Sequence, residues 1–255
     1  MPKILIKKAK ILKENDKEII LEKPASYLVR DISKDFHCKE GVILKKEFKK
    51  KDGAKVKTNT NKEFTLISAD FMDLYKKMKR SAQIISLKDV GVIVAYTGVN
   101  KNSRVVDAGA GSGGLSCFLA HICKEVTTYE IRDDFYDVVN ENKKKLGLKN
   151  LNIKKQDVLK GISERCVDLI TLDLPDPWNA FDVVSKALKT GGYLVSYSPT
   201  IIQVADFVNK LSDDFIHLQT LELIKREWEV KGRKVRPITT QNVHTGFLSF
   251  CRKIV

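Results

Sequence analysis

"RVVDAGAGSGGLSCFLA", Arg104 to Ala120, decides how the rest of the chain is read. A short apolar run reaches Asp107, then four closely spaced glycines (Gly109, Gly111, Gly113 and Gly114), and a second apolar run follows. Glycines between a strand and a helix permit a tight turn and let a ligand approach the backbone closely. The same turn also serves ordinary helix–strand packing, so its surroundings decide. The next apolar segment, "EVTTYE", ends in Glu130, 19 residues after Gly111. A carboxylate at that spacing can accept both ribose hydroxyls of an adenosine ligand.

Working outward, strand-like segments alternate with amphipathic ones. "RVVDA", "EVTTYEI", "LNIKKQD", "VDLITLD" and "GGYLVSYS" are separated by stretches such as "DDFYDVVNENKKKLG". That alternation predicts a parallel sheet with crossover helices, an α/β fold. Two further strands, near 218–228 and 243–251, follow without a helix between them and are joined by the basic stretch "VKGRKVRPITTQN". They predict an antiparallel pair added to the parallel sheet. Residues 1–66 read differently: "KILIKKAKIL", "KEIILEK", "SYLVRD" and "GVILKKEF" are short strands with charged turns, a small N-terminal β-domain. A linker helix over 67–79 is expected, capped by Ser68, with Phe71, Leu74, Tyr75 and Met78 on one face. Residues 80–255 form the α/β domain.

The 255 residues are 43% hydrophobic, enough for a substantial core, and carry a net charge of +14. Such a field attracts phosphate polymers, although a Lys- and Glu-rich surface also arises from composition alone. No apolar run approaches the ~18 residues of a membrane span. "MPKILIKKAK" has no signal-peptide core, so a cytoplasmic location is expected. The five cysteines form no CxxC pair; buried thiols and no metal site are expected, with disulfide pairing left open.

"LDLPDPW", Leu172 to Trp178, ends the fourth strand of the α/β region in a carboxylate. Ligands of open α/β sheets lie beyond the carboxyl ends of the strands, so Asp173 is placed at the reaction site. Pro175 and Pro177 stiffen the loop behind it. Trp178 either walls a pocket or packs. Asp157, ending "KKQD", either accepts from an adenine amino group or caps a helix.

Asp107 directly before the glycine turn gives an acid-x-G-x-G-x-G pattern that resembles the S-adenosylmethionine (SAM) site of Rossmann-like methyltransferases. An NAD site needs bare backbone donors for a pyrophosphate, whereas SAM brings a sulfonium and an ammonium group, so a nearby carboxylate becomes useful. From about Arg80 to Lys253 the chain also resembles the tRNA (adenine-N1)-methyltransferases. "KRSAQIISLKDVGVIV", "DAGAGSGGLS", "LDLPDPW" and "RPITTQNVHTGFLSFCRK" carry the likeness. Two mild departures are Asp107 where Glu is frequent and Ala110 where Thr is frequent.

The resemblance implies a Rossmann-like SAM-dependent methyltransferase with a seven-stranded, mostly parallel sheet. It further implies a homotetramer and a substrate adenosine in the tRNA T loop, at positions conventionally numbered 57 and 58. SAM contacts are expected from Gln83, Asp107, Gly109, Gly111, Ser112, Gly113, Gly114, Leu115, Glu130, Asp157 and Asp173. Asp173 is the expected catalytic group, bound to the adenine 6-amino group. Arg80, Trp178, Tyr197, Arg233, Arg236 and His244 are candidates for RNA or the flipped base, with Lys234 beside them; His244 is expected on the last strand. Residues 1–66 are expected to serve RNA binding or assembly. The rival readings are a similar fold with another acceptor, a protein L-isoaspartyl residue or a corrin precursor, and a non-catalytic RNA-binding subunit.

Overall fold

The computed structural model describes residues 1–14, 17–81, 83–240 and 244–255. The chain divides into two compact units, Met1–Met78 and Lys79–Val255.

The first unit contains β1 (Lys3–Lys7), β2 (Lys10–Glu14), β3 (Lys17–Glu22), β4 (Ala25–Val29), β5 (Phe36–Cys38), β6 (Gly41–Ile43), β7 (Lys55–Lys57), β8 (Glu63–Ser68) and helix α1 (Phe71–Tyr75). An antiparallel sheet runs β4-β1-β8-β7, and β2-β3 and β5-β6 form two separate antiparallel pairs. Alternating residues such as Leu5, Val56, Phe64 and Leu66 turn inward to meet Val29, Ile43 and Phe48 in one core. Ser68 is not the helix cap. It ends β8, where its hydroxyl meets Asp52 and Lys3 at 3.0 Å each. Asp70 caps instead: its carboxylate accepts from the Asp73 amide at 2.8 Å, and Asp73 accepts from the Asp70 amide at 3.0 Å. That reciprocal box satisfies two amides that the helix cannot pair internally.

The second unit contains α2 (Leu87–Thr97), β9 (Arg104–Ala108), α3 (Gly114–Ile122), β10 (Glu125–Glu130), α4 (Asp133–Leu146), β11 (Leu151–Lys155), β12 (Val167–Leu172), α5 (Phe181–Ala187), β13 (Leu188–Ser198), α6 (Ile201–Asn209), β14 (Phe215–Glu222), β15 (Trp228–Lys231), β16 (Lys234–Pro237) and β17 (Phe247–Lys253). One seven-stranded sheet runs β11-β10-β9-β12-β13-β17-β14, in which only β17 runs against the other six: it pairs antiparallel with both β13 and β14. The strand order reverses at β9, which places a crevice at the carboxyl ends of β9, β10 and β12. The central strands β9 and β12 are buried nearly end to end, because helices cover both faces. Val106, Ala108, Ile170, Leu172, Leu194 and Phe207 belong to the main core.

Two expectations for the C-terminal region are corrected. The basic connection folds into its own hairpin, β15 on β16, turning at Gly232 with φ +56°. His244 precedes the last strand, which begins at Phe247; residue 243, the expected start, lies outside the described residues with 241 and 242. Among the described residues, no helix is long and apolar enough to cross a membrane. All five cysteines are free: Cys117, Cys123 and Cys251 are buried, Cys38 is partly buried and Cys166 is exposed.

Candidate active site

The glycine turn lies between the ends of β9 and α3, and its shape follows from close approach. Gly109 adopts φ +90°, and a Cβ there would lie 2.1 Å from the Asp173 carbonyl oxygen. The Asp173 amide donates to the Ala108 carbonyl at 2.9 Å, so the turn and the "LDLPDPW" loop are joined back to back. A Cβ on Gly114 would meet Ile84 at 2.8 Å. The segment before α2 thus crosses the turn, held by the Ser81 amide donating to Ser112 Oγ at 3.0 Å.

A cleft of about 260 Å³ opens at this carboxyl edge. Gly109 lines it from β9, and Tyr129, Glu130 and Ile131 from β10. Gln156, Asp157, Val158 and Leu159 follow β11; Leu174, Pro175, Asp176 and Asn179 follow β12. Three carboxylates and no Lys or Arg are in that lining. Such a wall suits a cationic adenosyl ligand and offers a pyrophosphate no basic partner. Glu130 is set by the glycine turn and by its own loop. One oxygen accepts from the Gly111 amide at 3.0 Å, and the other accepts from Ile131 and Arg132 amides at 2.9 Å each. The carboxylate is therefore oriented before any ligand arrives. Asp157 lines the cleft and also caps a short 3-10 turn through the Leu159 amide at 2.9 Å. Ile131, Leu159 and Leu174 supply apolar walls for a flat ring. They were not singled out in the sequence, although each lies just beyond a strand, where an edge-lining residue is expected.

Asp107 lies beneath the turn, 2% exposed, and does not line the cleft. One oxygen accepts from Thr171 Oγ1 at 2.7 Å and the other from Thr128 Oγ1 at 2.9 Å. Burial pushes its carboxyl up to about 6, against the lowering effect of those hydroxyls. Asp173 is different. Among the described residues its carboxylate has no hydrogen-bond or ion-pair partner. Burial, then the nearby Asp107, pushes it up to about 7. It faces a narrow gap that it shares with Ile85, Leu115, Thr171 and Tyr197.

The remaining sequence candidates scatter. Gln83 and Arg80 are exposed. Ser112 is 1% exposed, and its carbonyl accepts from Asn142 at 3.0 Å. Gly113 packs on Val139. Trp178 packs on the main core with Lys210 4.0 Å over its ring, and lines neither the cleft nor the gap. His244 pairs with Glu222 at 2.7 Å and the Pro199 carbonyl at 3.0 Å, so its partners are not Asp173. The Glu222 carboxylate, then the Pro199 carbonyl, raises the affinity of His244 for its proton. Arg236 and Lys234 share Glu229 at 3.1 and 3.0 Å, and Arg233 is exposed at the hairpin turn.

A family model described as "tRNA methyltransferase complex GCD14 subunit" matches residues 74–236. The tRNA (adenine(57)-N(1)/adenine(58)-N(1))-methyltransferase TrmI of Methanocaldococcus jannaschii is 33% identical, over 92% of this chain and 94% of that protein. The crystal structure of tRNA (m1A58) methyltransferase TrmI from Aquifex aeolicus is similar with a TM-score of 0.77 and 25% identity, over 99% of this chain and 97% of that one. A structure described as a SAM-dependent O-methyltransferase from Thermotoga maritima gives a TM-score of 0.80 and 29% identity, over 99% and 93%. With a Rossmann-like methyltransferase sheet and these relatives, the chain belongs to the tRNA (adenine-N1)-methyltransferase family.

Proposed function

We propose that this enzyme transfers a methyl group from SAM to N1 of adenine 58 in the tRNA T loop, adenine 57 being the second candidate. The observation that carries this reading is Asp173, an unpartnered carboxylate at the carboxyl edge of the sheet, backed onto the glycine turn of a methyltransferase fold.

SAM, when bound, supplies an electrophilic methyl on a sulfonium. Glu130 accepts from its ribose, and Asp157 accepts from the adenine amino group. Ile131, Leu159 and Leu174 enclose its ring. Asp173 has both oxygens available and accepts a hydrogen bond from the 6-amino group of the target base. That bond pushes electron density toward N1, a weak nucleophile, and stabilises the positive charge that develops on the ring. The reaction is otherwise one of alignment, since N1, methyl and sulfur must approach a line. The target base reaches the site by flipping out of the folded tRNA.

The +14 chain is suited to a polyanion, and the first unit is read as a further RNA-holding or assembly element. The hairpin β15-β16 exposes Trp228 and Val230 with Val235 opposite, an apolar face on an otherwise charged ribbon. It supports assembly of copies of this chain, the homotetramer the family likeness implies. Another acceptor is not favoured, because the Methanocaldococcus jannaschii relative and the Aquifex aeolicus structure, each matching more than nine-tenths of the chain, are both named for tRNA adenine N1.

Incubation with labelled SAM and unmodified tRNA transcript, followed by nucleoside mass analysis, is expected to yield N1-methyladenosine; methyl on protein, or none on RNA, would reject the assignment. Glu130→Ala is expected to weaken SAM binding by about 1–3 kcal/mol by calorimetry, since ribose hydroxyls lose a preset acceptor. Unchanged affinity would remove Glu130 from the cofactor site. Binding of tRNA is expected to weaken steeply between low and moderate salt, as phosphate contacts release counterions. A flat salt response would reduce the positive charge to composition.

A further inference from the structure

The "SLKD" and "HTG" segments lie far apart in sequence, yet the fold joins them in one buried polar cluster. Asp89, in the first turn of α2, is fully buried. Its carboxylate accepts from Ser86 Oγ at 2.8 Å, Lys88 Nζ at 2.6 Å and Thr245 Oγ1 at 2.8 Å. Lys88 Nζ also donates to Thr245 Oγ1 at 2.8 Å. The donors and acceptors therefore close a ring: Lys88 donates to Thr245, Thr245 donates to Asp89, and Asp89 accepts from Lys88. Ser86, which stands at the N-cap, makes no side-chain cap bond and gives its proton to Asp89 instead.

A buried ion pair is weak evidence for stability, because desolvation offsets most of the attraction. Its value lies in what it positions. Thr245 leads to Tyr197. The Tyr197 hydroxyl donates to the Thr245 carbonyl. The next residue, Gly246, adopts φ +157° and passes so close that a Cβ would lie 2.5 Å from the tyrosine ring. Burial, then the Asp89 and Asp173 carboxylates, pushes the phenol up to about 12, so it stays a donor. With its hydroxyl taken by a backbone carbonyl, Tyr197 does no proton chemistry. Its ring lines the gap with Leu115 and Asp173.

We propose that Lys88, Asp89 and Thr245 are positioning residues for the acceptor base: they fix the 245–246 segment, which holds the Tyr197 ring as an apolar wall beside Asp173. The proposal rests on the reading that the target adenine docks at Asp173. It assigns Tyr197 a packing surface and gives the two distant motifs a shared task. No contact between this cluster and the SAM cleft is required, since none of the three residues lines it.

Three variants test it on the full-length enzyme: Thr245→Val, Tyr197→Phe and Asp89→Asn, each with Thr245→Ser as the conservative control. Single-turnover methylation of tRNA transcript at saturating SAM is expected to fall tenfold or more in the three. Thr245→Ser should stay within about threefold of the parent, and SAM affinity by calorimetry should stay within about twofold throughout. The double variant Thr245→Val with Tyr197→Phe should be no more than about threefold slower than the slower single, because both break one linkage. Full-rate Thr245→Val and Tyr197→Phe enzymes would overturn the proposal, as would multiplying losses or an equal loss of SAM affinity. If Asp89→Asn does not fold, the other two variants still decide. Asp173→Asn separates the two levels: if it is slow while Thr245→Val and Tyr197→Phe are fast, only the positioning role fails. If Asp173→Asn is itself fast, the docking of adenine at Asp173 fails.

Discussion

Asp173→Asn is expected to lower single-turnover methylation by roughly 100-fold or more and, at the same time, to make the protein more stable above pH 7. The two effects have one cause. Asp173 is held without a partner in a largely buried place, and its carboxyl is pushed from 3.8 to about 7. The folded pKa lies above the unfolded one, so between about pH 4 and 7 the native chain keeps a proton that the unfolded chain has lost. Stability is highest below the unfolded value, falls across that window, and the loss is complete above 7. Asn removes the charge and with it the loss, a gain of roughly 1–3 kcal/mol at pH 8 and little at pH 4. The wild-type rate should rise with pH toward about 7, because the ionised carboxylate accepts from the 6-amino group more strongly than the neutral acid and alone carries the charge that offsets the positive ring; a bound sulfonium cation moves that inflection downward. Asp176→Ala is the control. Asp176 is exposed at the lip of the cleft and makes no side-chain cap bond, so at saturating SAM and tRNA, where any weaker cofactor binding is masked, its rate should change by less than about threefold. Chemical melts at pH 4 and pH 8 and single-turnover rates for the three proteins decide. A fast Asp173→Asn enzyme, or a slower Asp176→Ala one, places the chemistry on the wrong carboxylate.

This trade explains what was legible in the sequence. The acids that end strands could be read, because an open α/β sheet presents its carboxyl edge to ligand wherever the strands lie. Glu130, Asp157 and Asp173 are of that kind. Asp107 looked equivalent in sequence but points down. Its neighbours in register are Thr128 and Thr171 on the flanking strands, and no local pattern announces that two hydroxyls will take its carboxylate. Trp178 was open between wall and packing because a 3-10 turn that begins at the second proline, Pro177, turns its ring in a direction that spacing does not give. The hairpin β15-β16 did leave a signal, alternation of Trp228 and Val230 with Val235 around Lys231-Gly232, but its charge density made it look like a connection. The pairing of Asp89 with Thr245 spans 156 residues and is visible only once the fold exists.

Gly109→Ala is expected to cost roughly 2–4 kcal/mol of stability and more than tenfold in SAM affinity, and a second glycine shows why. Positive φ alone penalises any side chain by about 1–2 kcal/mol. Gly147, ending α4 at φ +68°, has nothing within 4 Å of an added Cβ and isolates that backbone effect. Gly109 at φ +90° has in addition the Asp173 carbonyl oxygen at 2.1 Å, a backbone atom with no side-chain freedom to move away. Relief requires the two loops to part. Parting strains the 2.9 Å bond from the Asp173 amide to Ala108 and shifts Leu174 and Pro175, which line the cleft with Gly109. Gly147→Ala should therefore lower stability by about 1 kcal/mol and leave SAM binding unchanged, whereas Gly109→Ala should lose both. Calorimetry with SAM and thermal melts on the two variants separate backbone strain from close approach. Equal melts and equal SAM affinities would mean that the glycine turn and the Asp173 loop are not coupled, and that the cleft is shaped by the strand ends alone.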